Sequence, residues 1–127
     1  MFDYDLLYPV ILVKIFPDPI LRRQCELILD RYGSEAYHHE PSRVRLAILK
    51  LAGCDLKAIQ KNVGYALIDY RDVLAWAEYP QAIRNNSWRL PDDSPEKRQL
   101  DRADLGQYQK WLDDILVEDG GTHGSED

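Results

Sequence analysis

Glycine-rich loops, cysteine clusters and membrane-length apolar runs are all missing from this 127-residue chain. Two cysteines, Cys25 and Cys54, are too few for a disulfide scaffold or a four-cysteine zinc site, and both are read as buried thiols. The seven glycines are scattered, so no loop cradles a phosphate and no G-x-S-x-G elbow presents a nucleophile. The longest apolar stretch runs from Leu6 to Phe16, far short of the roughly 20 residues that cross a bilayer. Asp3 and Asp5 precede it where a secretory leader carries basic residues. A cytoplasmic protein with no membrane partner is therefore expected.

Histidine is scarce as well. His38 and His39 are adjacent and His123 lies in the polar C-terminal stretch, whereas zinc ligands on a helix favour positions i and i+4. The histidines are read as solvated loop side chains, and no metal or cofactor is expected. Carboxylate pairs such as Asp92-Asp93 and Asp113-Asp114 diverge by about 100° on a helix. They form a wet face rather than an acid/base dyad, and with no nucleophile spacing present the chain is read as non-enzymatic.

What the chain does have is helix punctuation. Asp18-Pro19 and Ser94-Pro95 each pair an N-cap residue with proline at the first helical position, and Pro41-Ser42 opens a further segment. Apolar spacing then predicts helices over 19–32, 42–52 and 95–117. The buried stripe of the second is Val44, Ala47, Ile48, Leu51 and Ala52. Between them, Leu56, Ile59, Val63, Ala66, Tyr70, Val73 and Ala77 keep alternating spacings of three and four, the period of one helix face. That ladder predicts a single long central helix over 56–79, ended by Pro80. Gly64 inside it is accommodated by a close helix crossing. Residues 80–95 read as a loop whose Trp88 tucks over the core rim, an exposed tryptophan there instead marking an interface. The run 9–16 is β-branched, but with no second strand to pair with, it reads as a short buried helix. The fold class is all-α: a single-domain bundle of four to five helices over 1–117, with a disordered acidic tail over 118–127.

The formal charge is −6, unevenly spread: −3 over residues 1–41, +4 over 42–71 and −7 over 72–127. The basic middle holds Arg43, Arg45, Lys50, Lys57, Lys61 and Arg71. With the 44–64 cadence it invites a helix-turn-helix reading, that is, a nucleic-acid-binding regulator. The ladder's unbroken phase through Gly64 opposes a turn there. The stretch 65–77 offers few side chains able to read a base edge. Acidic flanks folding back over the basic segment is the preferred alternative, and nucleic acid is disfavoured. Ten Tyr and Phe residues, three Trp and the split charge favour a small protein-interaction domain, an adaptor or modulator whose partner is another protein or a second copy. Its expected surface is first Arg84, Trp88 and Arg89, then the Arg43, Arg45 and Lys50 face, and then Lys57, Lys61 and Arg71. Self-association is assigned to the N-terminal apolar run.

Overall fold

Aspartate and serine start most of the helices. In the computed structural model, which describes residues 2–117, Asp3 accepts from the Leu6 amide and Asp18 from Ile20. Asp55 accepts from Lys57 and Ala58, Asp69 from Arg71, and Ser94 from Lys97. Each bond satisfies an amide that the first helical turn leaves without an intrahelical partner. The resulting elements are α1 (Tyr4–Ile15), α2 (Pro19–Leu29), α3 (Pro41–Ala52), α4 (Leu56–Ile68), α5 (Tyr70–Glu78), α6 (Pro80–Arg84), a 3₁₀ turn (Ser87–Arg89) and α7 (Pro95–Leu116). No strand occurs among the described residues. The expected acidic tail lies outside them.

The all-α class stands, with seven helices among the described residues rather than four or five. The apolar N-terminal run is helical and begins earlier than expected, at Tyr4, with Ile11 and Leu12 buried. The expected loop over 80–95 contains α6 and the 3₁₀ turn. The single helix over 56–79 is corrected: it breaks at Asp69, whose backbone is extended at φ −156° and ψ 103°. Asp69 closes α4 and caps α5 with the same residue, and its carboxylate also takes the Arg71 guanidinium at 3.0 Å. Both halves stay in phase with the core because each presents its own stripe, Ile59, Val63 and Ala66 in α4 and Val73, Leu74 and Ala77 in α5.

The centre of the bundle is α3. It packs against α1, α4 and α5, and Val44, Leu46, Ala47, Ile48 and Leu49 are all fully buried. A helix apolar around most of its circumference is one covered on several sides. Leu51, expected in its stripe, faces solvent, and Leu46 and Leu49 take its place. Gly64 sits in open space, since a Cβ there would meet no atom within 4 Å. No helix crossing explains it, and it costs about 1 kcal/mol relative to alanine.

The connection from α2 to α3 is tightly built. The Tyr32 hydroxyl donates to the His39 carbonyl at 2.8 Å and accepts from the His39 amide at 3.1 Å. His38 Nδ1 accepts from the Gly33 amide at 2.8 Å while its ring stacks on Tyr32 at 4.7 Å. His39 stacks on Tyr70. The two histidines are therefore structural parts of the connection rather than freely solvated side chains. Gly33 needs its φ of +106°, and a Cβ there would lie 2.6 Å from Arg45 Nη2. Cys25 is buried, its thiol pushed up to about 12 by burial and then by Glu26. Cys54, expected inside, is exposed.

Candidate functional site

The basic segment is largely absorbed by the fold. Arg43, one turn into α3, donates from Nε to Glu78 Oε2 at 2.9 Å and from Nη2 to Glu78 Oε1 at 2.5 Å. It also reaches Glu40 and the Tyr79 hydroxyl, and its guanidinium lies 5.6 Å from the Tyr4 ring centroid. The Glu78 side chain is 8% exposed and that of Arg43 21%. The hydrogen bonds to Glu78 hold the guanidinium firmly protonated against the opposing cost of burial.

Arg45 donates from Nε and Nη2 to the Tyr32 carbonyl and pairs with Asp30. It thereby neutralises the carbonyl end of α2, where a cation is favoured. Lys50 is half-buried, and desolvation lowers its pKa. Arg71 is exposed but held by Asp69. Lys57 and Lys61 alone of this segment stand on the outside with no ion pair among the described residues.

Arg84, Trp88 and Arg89 lie together in the α6 region. Trp88 does not tuck over the core: it is 73% exposed, and Arg89 places its guanidinium 5.0 Å from the indole centroid. Arg84, at the end of α6, is exposed too. The 3₁₀ turn that carries Trp88 packs on α6. Asp104 of α7 fixes α6 in turn, accepting from the Gln81 amide at 2.8 Å and the Ala82 amide at 3.0 Å. Its carboxylate is almost entirely buried. Gln107 adds a bond to the Ala77 carbonyl.

Two features escaped the sequence reading. The Asp69 corner turns Tyr65, Leu67, Ile68 and Trp76 outward, Ile68 being 84% exposed and Tyr65 meeting Trp76 edge-on at 5.5 Å. The available signal was Asp69 itself, an N-cap residue type standing inside the ladder. The second feature is a cleft of about 340 Å³ beside the Arg43–Glu78 pair. Phe2, Tyr4, Tyr79 and Tyr108 give it aromatic walls, and Glu40, Asp101 and Asp104 add acid. Its parts come from α1, α3, α5 and α7, too far apart in sequence for spacing to reveal them.

Among the described residues, no group of three or more His, Cys, Asp and Glu side chains could hold a metal ion, and no helix is long and apolar enough to cross a membrane. No known protein family, curated protein or solved structure matches the chain.

Proposed function

We propose that this chain is a non-catalytic protein-interaction domain, an adaptor or modulator, that engages its partner through the Trp88 face. The observation that carries this reading is Trp88 itself, held 73% exposed on a 3₁₀ turn whose helix is pinned by a buried carboxylate. Tryptophan and arginine are among the residues most enriched at interface hot spots, and a held mount lowers the entropy cost of ordering them on binding. Arg84 and Arg89 beside it stand outside any ion pair among the described residues. The matching partner is a protein with an apolar pocket and an acidic rim. The withdrawal of Arg43 and Arg45 into internal pairs supports this reading over a nucleic-acid one, which needs exposed cations to neutralise phosphates.

Trp88→Ala is expected to weaken the partner complex by about 2 kcal/mol or more while leaving unfolding within about 0.5 kcal/mol of wild type. Parallel affinity capture with both baits, followed by calorimetry on the captured protein, checks this. Retention of every captured protein by the variant would sink the reading.

A specific observation also favours self-association. Leu6, Val10 and Val13 form an exposed strip along α1. An antiparallel two-fold pairing of α1 with its copy would bury this apolar strip against the same strip of the partner, which is the self-complementarity an isologous dimer requires. Sedimentation should show a concentration-dependent dimer that Val10→Glu abolishes. A wild-type monomer across the whole concentration range would remove this surface from the proposal.

A further inference from the structure

We propose that the aromatic cleft beside the Arg43–Glu78 pair binds a small organic ammonium ion. The site shares no residue with the Trp88 face, so it stands or falls separately from the docking reading.

Three observations meet there. The first is an unsatisfied polar atom. Tyr108 is 2% exposed, and its hydroxyl has no hydrogen-bond partner among the described residues. A buried hydroxyl left without a partner costs roughly 1–3 kcal/mol. Burial raises the Tyr108 pKa, and the next causes are Glu78, Tyr4 and Arg43. All three line the cleft, as does Tyr108 itself.

The second observation is charge. Four carboxylates line the cleft against a single guanidinium. That guanidinium is already engaged by Glu78 and Glu40, which leaves it little capacity to hold an anionic ligand. Asp101 is exposed at the mouth and makes no ion pair among the described residues.

The third observation is the walls. Aromatic faces backed by carboxylates attract an alkylammonium twice over, through the ring quadrupole and through the charge. The protein itself already uses this chemistry where Arg43 lies over Tyr4. The volume, about 340 Å³, suits a ligand of a few heavy atoms at the small end of ordinary binding sites. A bound ammonium would donate to the Tyr108 oxygen and to Asp101 while its alkyl stem lies along Tyr79.

The test is titration calorimetry of the full chain with putrescine, with succinate as the anionic control. Saturable binding of putrescine and none of succinate is expected. Tyr108→Phe should weaken it about fivefold, the worth of one hydrogen bond. Asp101→Asn should also weaken it about fivefold, by removing one partly solvated charge. Tyr108→Phe should unfold at the same or a higher denaturant concentration than wild type, so lost binding cannot be ascribed to lost folding. Asp101→Asn, at an exposed position, provides the second check. The proposal is overturned if putrescine heats fail to saturate by about 10 mM, a level too weak for a built site. It is equally overturned if succinate binds as well, or if either variant binds putrescine as wild type does.

Discussion

Replacing Arg43 with alanine is expected to lower the free energy of unfolding by about 3 kcal/mol, the usual cost of leaving one member of a buried ion pair without the other. Glu78 is the reason. Its side chain is nearly sealed from solvent and both its oxygens are spent on Arg43. Without the guanidinium the carboxylate must stay charged in an apolar setting or take up a proton. The substitution also strips the bond to Tyr79 and the contact with the Tyr4 ring. Urea denaturation of Arg43→Met, Glu78→Leu and the double variant separates the pair's own energy from the penalty of a stranded charge. Replacing both partners with apolar groups should recover at least half of the loss caused by Arg43→Met. Losses that simply add would mean the two side chains do not depend on each other.

Asp104→Ala should be nearly as severe, at about 2–3 kcal/mol, because it orphans two backbone amides at once. Gln81 and Ala82 both donate to this one carboxylate, and α6 has only five residues. So short a helix cannot hold itself together without tertiary support. Hydrogen exchange should therefore speed up across α6 and the Ser87–Arg89 turn first, before the α3 core. Asp104→Asn keeps one acceptor and should lose about half as much. Uniform acceleration over the whole chain would show that Asp104 supports the global fold rather than this one mount. In that case Trp88 would owe its position to something else.

Several elements were readable from sequence because their causes are local. Asp18-Pro19, Asp55 and Ser94-Pro95 mark helix starts through bonds to amides two or three residues away. The broad outline of the core followed from apolar spacing for the same reason. Misplaced features have non-local causes. The ladder from Leu56 to Ala77 runs straight through Asp69 in phase, since two helices that pack on the same core both repeat near 3.6 residues. Arg43 and Glu78 are 35 residues apart, and Asp104 is 22 and 23 residues from the amides it caps. No spacing rule connects partners so distant. The charge pattern came closer, because the acidic flanks were expected to cover the basic middle, and Glu78 and Asp30 do cover Arg43 and Arg45. Trp88, expected to tuck over the core rim, is exposed instead, on a turn that follows the short helix Asp104 caps from 22 and 23 residues away.

The corner at Asp69 also has a consequence for reach. A domain of this length has a radius of gyration of about 14 Å, hence a diameter near 36 Å. An unbroken helix over the same residues would measure about 35 Å, reaching from one wall of the molecule to the other. Folding it at one residue halves its reach, so that α4 and α5 both pack on α3. It also returns Glu78, nine residues beyond the bend, to the start of α3 where Arg43 waits. Asp69 thus decides, by its place in the chain, which acid meets which base.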